Sequence, residues 1–122
     1  MVVVFWASWC KPCLREAPHL VQLYEKYKSK GVAFVAVSID EADDHATLEA
    51  VVADLNISYP VALDPNGEAL ALYAQGASIP LTFLLGADSM VAYRHQNFAE
   101  GDEVPLEAAI GAALAATDTK SE

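Results

Sequence analysis

The fold of this chain is decided by residues 2–13, which read VVVFWASWCKPC. The first five residues are continuously apolar and are β-branched or aromatic, a pattern that predicts a buried β-strand. Cys10 and Cys13 follow almost at once, and from Leu14 onward apolar residues recur at helical spacing. The sequence therefore predicts a buried strand that leads into two cysteines at the start of a helix.

Any thiol chemistry of this chain must occur at Cys10 and Cys13, because they are its only cysteines. A helix start offers unpaired backbone N–H groups and the positive end of the helix dipole, and both favour a thiolate. We expect Cys10, at the helix start, to be the more exposed sulfur and the nucleophile. Cys13, one turn deeper, would then resolve the mixed disulfide. Pro12 fixes one φ angle between them and stiffens the loop.

A metal site and a purely structural disulfide are the other interpretations of this pair. Tetrahedral zinc needs four protein ligands, or three and a water molecule. The histidines show no paired ligand spacing; they are His19, His45 and His95. A disulfide that closes so short a loop restricts the unfolded chain only slightly. We therefore predict no metal and no organic cofactor, since the cysteine pair is itself the redox group.

Size, composition and net charge exclude several classes of protein and of function. A chain of 122 residues predicts one domain, and 54% hydrophobic with 20% charged residues indicates a globular protein rather than a disordered one. A formal net charge of −10 argues against nucleic-acid binding, which needs a basic surface. Residues 1–6 lack the basic segment of a signal peptide, and no apolar run is long enough to span a membrane.

The remaining elements follow from periodicity and turn residues. A second apolar strand after the first helix predicts a right-handed βαβ unit with parallel strands. A Pro-Asn-Gly turn and a Gly-containing hairpin turn separate the later segments. We predict strands at 2–6, 32–39, 81–85 and 90–95, an extended piece at 59–63, and helices at about 10–29, 45–55 and 68–73 and from about 102.

Residues 5–13, FWASWCKPC, resemble the active-site stretch of the thioredoxin superfamily, and the continuation LREAP at 14–18 is similar to the TlpA/ResA-like thiol–disulfide oxidoreductases. The resemblance implies an α/β, thioredoxin-like fold with a mixed central sheet flanked by helices. It also implies a TlpA/ResA-type insertion after the βαβ unit, at about 42–76. In a departure from that fold, we expect the usual N-terminal strand to be lacking. We expect a single domain over 1–116 and a flexible C-terminal tail over 117–122.

The same resemblance implies roles for individual residues. Glu16 should lie near the cysteines and help to set their protonation, which requires partial burial. The pair Ile79-Pro80 resembles the cis-proline that faces the cysteines, where the backbone of Ile79 can pair with a substrate peptide as an added strand. Trp9 and Pro12 are expected beside the disulfide and complete the predicted substrate-binding residues.

Two positions depart from the thioredoxin pattern. Thioredoxins carry a buried aspartate in the strand before the cysteines, where this chain has Val4. Glu16 is therefore the nearby acid that the sequence offers. Leu81 stands where a threonine commonly follows the proline, which weakens any transfer of substrate specificity.

The absence of a first strand has a structural consequence. The strands that remain should follow the order 32–39, 2–6, 81–85, 90–95. Strand 32–39 would then be a long, apolar and uncovered edge, which is an association hazard. We expect either that residues outside this chain cover it or that the protein forms a homodimer through strand 32–39.

The function implied by the resemblance is exchange of a Cys10–Cys13 disulfide with protein substrates, as a reductant. Its substrates would be of the cytochrome c maturation type or cysteine metal sites. An upstream thiol donor would return the cysteine pair to the dithiol. The location would be extracytoplasmic, in the periplasm or at the outer face of the membrane. Alternatives are a peroxiredoxin-like peroxidase, which needs a lone cysteine in a P-x-x-x-T-x-x-C context, and a copper chaperone with C-x-x-x-C spacing. The direction of electron flow is open, since such pairs span about −270 to −120 mV.

Overall fold

The computed structural model describes residues 1–74 and 78–121, with the main chain alone for residues 74 and 117–121. The strands are β1 (Val2–Trp6), β2 (Phe34–Ser38), β3 (Val61–Leu63), β4 (Leu81–Leu85) and β5 (Val91–Gln96). The helices are α1 (Lys11–Tyr27), α2 (His45–Asp54), α3 (Glu68–Ala74) and α4 (Glu103–Ser121), with short 3₁₀ segments at Lys28–Lys30 and Ala42–Asp44.

The strands form one mixed sheet in the order β3-β2-β1-β4-β5. β2 runs parallel to both β1 and β3, while β4 runs antiparallel to β1 and to β5. The predicted βαβ unit and the predicted hairpin are therefore both present. β1 lies in the middle of the sheet, so its carboxyl end delivers the cysteines to the centre of one sheet edge.

The two faces of the sheet carry separate apolar clusters. Alternate side chains of β1 point to opposite faces, as the period of a strand requires. Val4 and Trp6 join the larger cluster, which includes the disulfide and the inner sides of α1 and α4. Phe5 joins the smaller cluster with Phe83, against Leu70 of α3. Helices thus cover both faces, and the predicted α/β architecture is confirmed.

The prediction of a bare edge at strand 32–39 is wrong. Residues 59–63 are more than an extended piece, because β3 pairs with β2 in the register Ala36↔Val61 to Ser38↔Leu63. The main-chain N–H of Ala36 also donates to the carbonyl of Pro60 at 2.9 Å. A strand of only three residues therefore covers the half of β2 nearest the cysteines. The homodimer through strand 32–39 loses the structural reason on which it was based.

Several elements begin or end at residues other than those predicted. α1 ends at Tyr27, and the chain leaves it through Gly31, whose φ of 86° is in the left-handed region that glycine tolerates. The insertion predicted at about 42–76 contains α2, β3 and α3, and its last two residues lie outside the described residues. Residues 117–121 continue α4, residue 122 is outside the described part, and the flexibility of this tail stays a prediction.

Among residues 1–74 and 78–121, none of the helices combines the length and the apolar character that a membrane crossing requires.

Candidate active site

Cys10 caps the N-terminus of α1. Its backbone is extended, with φ −91° and ψ 107°, and its Sγ accepts a hydrogen bond from the main-chain N–H of Cys13 at 3.3 Å. Pro12 lies in the first turn, where its missing N–H costs no helical hydrogen bond. The predicted placement of both cysteines at a helix start is confirmed, and the hydrogen bond shows how the helix end supports negative charge on the Cys10 sulfur.

The Sγ atoms of Cys10 and Cys13 are bonded to each other, with Cα atoms 5.2 Å apart. Both residues are buried, at 6% and 3% exposure, so the expected difference in exposure is present but small. Their surroundings differ more clearly. Cys10 lines a surface groove and its sulfur lies 3.8 Å from the carbonyl oxygen of Ile79, whereas Cys13 lines a cavity inside the protein.

The loop between β1 and α1 is anchored by Asp40, which follows β2. Asp40 has 0% exposure. Its carboxylate accepts hydrogen bonds from the main-chain N–H of Ser8 at 2.9 Å, from the Ser38 hydroxyl at 2.6 Å and from the Ser8 hydroxyl. Asp40 was not among the site residues predicted from the sequence. An acid directly after an apolar strand, with serines available to donate, is the pattern that could have indicated this anchor.

Glu16 is buried on the other side of the cysteines, at 5% exposure. The hydroxyl of Thr82, on β4, donates to its carboxylate at 3.2 Å. Burial raises the pKa of Glu16 to about 7; the Thr82 hydrogen bond opposes that rise, and the negative charge of Asp102 adds to it. The predicted burial is confirmed, while Thr82 is a partner that the sequence analysis missed.

A cavity of about 10 Å³ lies behind the disulfide and is lined by Cys13, Glu16, Trp6 and Tyr59 together with smaller apolar side chains. This volume is near the minimum that a water molecule needs. Burial, aided by the charge of Glu16, raises the pKa of Tyr59, so its phenol stays protonated. Trp6 Nε1 is buried and has no hydrogen-bond partner within the described part of the chain. Cys13 and Glu16 therefore line the same small cavity.

The peptide bond between Ile79 and Pro80 is cis, as the resemblance implied. Pro80 is buried immediately before β4, and its carbonyl accepts from the main-chain N–H of Asn97 at 2.7 Å. The carbonyl of Ile79 is the one that faces the Cys10 sulfur. The two segments that the sequence analysis combined into one site, 9–16 and 79–80, therefore meet in space.

Trp9 is 62% exposed and stands at the rim of the surface groove, as predicted. The groove has a volume of about 520 Å³. Its lining also includes Lys11 and Pro12 from the start of α1, Leu70 of α3 and Ser78. An exposed aromatic ring beside a nearly buried sulfur leaves Cys10 open to a ligand that enters this groove.

The one group of possible metal ligands in the described residues lies away from the cysteine pair. Ligand atoms of His19, Glu100 and Glu103 lie within 4.8 Å of one another, and the ring nitrogens of His19 are 3.6 Å from each carboxylate. His95 pairs with Asp102 at 2.9 Å. Exposed acids often cluster without an ion, and these contacts are explained as polar contacts that link α1 and β5 to residues 100–103 at the start of α4.

Comparison with known proteins supports this description. Residues 1–94 match the AhpC/TSA family. ResA thiol–disulfide oxidoreductases are similar in sequence: the protein of Bacillus thuringiensis subsp. konkukian is 39% identical over 87 residues, and that of Oceanobacillus iheyensis is 40% identical over 81 residues. These alignments cover 71% and 66% of this chain and 49% and 41% of the relatives. The chain thus spans about half the length of the curated relatives it matches.

Solved structures of thiol–disulfide oxidoreductases are similar to this chain in fold. A Chlorobium tepidum protein assigned as thiol:disulfide interchange protein DsbE has a TM-score of 0.84 and 36% identity, covering 93% of this chain and 78% of that one. A secreted Mycobacterium tuberculosis disulfide oxidoreductase, described as homologous to E. coli DsbE, has a TM-score of 0.77 and 25% identity, covering 91% and 79%. The predicted fold and the resemblance to TlpA/ResA-like proteins are confirmed, and the chain belongs to the AhpC/TSA family of thioredoxin-like proteins.

Proposed function

We propose that this chain is a thiol–disulfide oxidoreductase that reduces disulfides in proteins through Cys10 and Cys13. The observation that carries the proposal is the asymmetry of the pair: Cys10 faces an open groove, while Cys13 faces a small cavity that is lined mostly by buried residues, Glu16 among them. An exchange reaction needs one sulfur that a substrate can reach and one that resolves the intermediate from behind. The names of the ResA and DsbE relatives support the same activity.

In the first step the Cys10 thiolate attacks one sulfur of a substrate disulfide. A bond forms between Cys10 Sγ and that sulfur, the substrate disulfide breaks, and the other substrate sulfur leaves and takes up a proton. The N–H of Cys13 already donates to Cys10 Sγ and stabilises its negative charge. The groove beside Trp9 and Pro12 holds the substrate, and an extended peptide pairs with the backbone of Ile79, next to the buried Pro80.

In the second step Cys13 attacks Cys10 Sγ and releases the reduced substrate as a thiolate. Cys13 must first lose its proton, and the carboxylate of Glu16 accepts it across the shared cavity, through a water molecule where one is bound. A pKa of about 7 suits this role, because near neutral pH Glu16 is present in both protonation states. The chain ends in the oxidised form, with the two electrons transferred to the substrate.

The substrate class and the location are also proposals. Resemblance to ResA-like proteins suggests disulfides of the cytochrome c maturation type or of cysteine metal sites. An upstream thiol donor would return Cys10–Cys13 to the dithiol, and the reaction would take place outside the cytoplasm. The secreted Mycobacterium tuberculosis relative supports that location. We assign the whole activity to a single domain over residues 1–116.

The decisive experiment is the reduction potential of the cysteine pair, measured by equilibration with dithiothreitol and read through tryptophan fluorescence. Trp6 packs in the same cluster as the disulfide and Trp9 stands at its rim, so both can report the redox state. We expect a potential at or below about −250 mV, which is typical of reductants. A value near about −120 mV would mean that the chain donates disulfides, and the proposed direction would be wrong.

Trapping tests the roles of the two sulfurs. A Cys13→Ser variant should accumulate a mixed disulfide between Cys10 and an oxidised substrate protein, because the resolving sulfur is gone. The matched Cys10→Ser variant should trap none. The opposite result would reverse the roles of the two cysteines.

The two alternative functions are tested with the same protein. A peroxidase would consume hydrogen peroxide at the expense of the dithiol, and a copper chaperone would bind copper tightly when reduced. We expect peroxide consumption to be much slower than disulfide exchange, because the chain lacks the P-x-x-x-T-x-x-C context. We expect only weak copper binding, because the cysteine spacing is C-x-x-C and not C-x-x-x-C.

A further inference from the structure

A trough runs across the surface from the Cys10 sulfur to an acidic loop. The groove beside Cys10 is lined mainly by apolar or aromatic side chains, among them Trp9, Ile39 and Leu70. A second groove, also of about 520 Å³, shares Trp9 and Ile39 with the first and continues to Glu41 and Asp44. The two grooves therefore form one continuous surface, with the redox sulfur in its apolar half and carboxylates in its other half.

The acidic half of the trough is unusually free of positive charge. The chain has no lysine or arginine between Lys30 and Arg94, and this segment supplies the whole acidic wall. Glu41, Asp43 and Asp44 are exposed, and none of them forms an ion pair with a described side chain. Glu41 and Asp43 also line the adjoining hollow beside Pro65. These carboxylates keep their charge available for a ligand.

Lys11 makes the two ends of the trough opposite in charge. It lines the groove beside Cys10 but not the acidic groove, so the one cationic side chain among the described lining residues stands at the end away from Glu41 and Asp44. A basic group on a bound peptide is attracted to one end of the trough and repelled from the other. Charges placed at the rim of a site act mainly on the rate of association and on the choice of partner.

We propose that this trough selects disulfides that lie in an extended, cationic segment of a substrate protein, with an apolar residue next to the cysteine and a lysine or arginine a few residues away. The apolar neighbour packs in the groove against Leu70 and Ile39, and the basic side chain reaches Glu41 and Asp44. The inference rests on the proposed function, since it names the substrates of the same site. Selection takes place before the sulfur chemistry and leaves that chemistry unchanged.

The test compares disulfide peptides that differ in one side chain. Each peptide carries either lysine or glutamine at one of the first four positions on either side of the reactive cysteine. The second-order rate of reduction is measured by stopped-flow tryptophan fluorescence at low and at high salt. At low salt we expect the best lysine peptide to react about tenfold faster than its glutamine twin. High salt should remove most of that difference, because exposed charges are screened.

A pair of double variants locates the effect. Glu41→Gln with Asp44→Asn should bring the lysine-to-glutamine rate ratio close to one. Glu49→Gln with Asp54→Asn is the matched control: both residues are exposed on α2, the charge change is the same, and neither residue lines the trough. The control should keep the wild-type ratio. All these substitutions are on the surface and should change stability little.

A small neutral disulfide, 2-hydroxyethyl disulfide, separates this inference from the proposed function. All three proteins should reduce it at equal rates. If wild type fails to reduce it and also fails to reduce every peptide, the proposed function itself is wrong. If wild type reduces it but shows no preference for lysine, or if the control variants lose the preference as fully as the trough variants, the inference is overturned and the acidic loop serves general solubility alone.

Discussion

Asp40 and Glu16 are both buried carboxylates beside the cysteine loop, and their surroundings are very different. Asp40 accepts from a main-chain N–H and two hydroxyls, supplied by Ser8 and Ser38. Glu16 accepts from one donor among the described residues, the hydroxyl of Thr82. Asp40 lies on the loop side of the cysteines, at the end of β2, and Glu16 lies on the helix side, within α1.

The difference shows how one chemical group serves two purposes. A buried carboxylate with several good donors is held in one place and holds its donors in place in return. A buried carboxylate with a single donor is poorly compensated for the loss of water, so it retains its proton to higher pH. Asp40 therefore fixes the geometry of the loop that carries Cys10, while Glu16 is able to exchange a proton with its surroundings.

The largest effect should come from Asp40→Ala. The substitution leaves the main-chain N–H of Ser8 and two hydroxyls without their acceptor in the protein interior. Unsatisfied buried groups of this kind cost about 1–3 kcal/mol each, so we expect a loss of about 3–5 kcal/mol in the free energy of unfolding. Urea denaturation at neutral pH measures it, with the exposed Asp54→Ala as the control. A loss below about 1 kcal/mol would mean that Asp40 does not anchor the loop.

Glu16 should produce the next largest effect, as a dependence of stability on pH. The folded protein keeps the Glu16 proton up to about pH 7, whereas the unfolded chain releases it near the ordinary value of 4.5. The folded state thus binds more protons in this range, and stability falls as pH rises from about 4.5 to 7. The loss is on the order of 3 kcal/mol, and it is complete above the folded pKa.

The variant Glu16→Gln isolates that contribution. In the oxidised protein, where the bonded cysteines do not titrate, we expect the wild type to lose stability across this pH range relative to the variant. Urea unfolding at a series of pH values gives the difference between the two proteins, and Glu49→Gln on the exposed side of α2 serves as a control. Parallel curves for wild type and Glu16→Gln would show that Glu16 has an ordinary pKa.

Thr82→Val should have a smaller effect, which is a shift in the pKa of Glu16. The comparison with Asp40 predicts the direction of that shift, because Thr82 is the single donor to Glu16 among the described residues. The Thr82 hydroxyl stabilises the charged form of Glu16, so its removal should raise the pKa of Glu16 further, by up to about one unit. The midpoint of the pH profile for the second step, in which Cys13 releases the reduced substrate, should move upward by the same amount. Thr82→Ser keeps the hydroxyl and should restore the midpoint, which a change in packing alone would not do.

The smallest effect should come from Asp102→Asn. The negative charge of Asp102 raises the pKa of Glu16, but Asp102 is partly exposed and paired with His95. We expect the midpoint to move downward by less than about half a unit, because solvent screens exposed charges. A downward shift larger than the change caused by Thr82→Val would show that long-range charge governs the pKa of Glu16 more than its local donor does. An upward shift would show that the charge of Asp102 does not raise that pKa.

The sequence predicted those parts of the site that are close together in the chain. The strand, the capped cysteine pair and Glu16 lie within residues 2–16, where the period of a strand and the position of a helix start fix the arrangement. Ile79 and Pro80 were placed correctly through the family resemblance, which carries information about distant contacts. The two clearest failures, β3 and the anchor at Asp40, both concern pairing between distant segments.

The missed features have physical reasons. β3 has only three residues, too few to show the alternation of a strand, and it exists because Ala36–Ser38 offer free backbone partners. Asp40 and its partner Ser8 are 32 residues apart, and Thr82 and Glu16 are 66 residues apart. The donors leave no local pattern, because a serine or threonine that donates to a buried acid looks like any other small polar residue. Only the position of Asp40 directly after an apolar strand was visible in the sequence.

The Thr82 hydroxyl has one further consequence. It is 2% exposed and already donates to an acceptor, so its proton exchanges slowly with solvent. Such a proton gives its own resonance in a proton NMR spectrum, and its chemical shift depends on whether the oxygen it faces is charged. The resonance of the Thr82 hydroxyl proton thus reports the ionisation of Glu16 directly. It does so in the unsubstituted protein and independently of the cysteines and of tryptophan fluorescence.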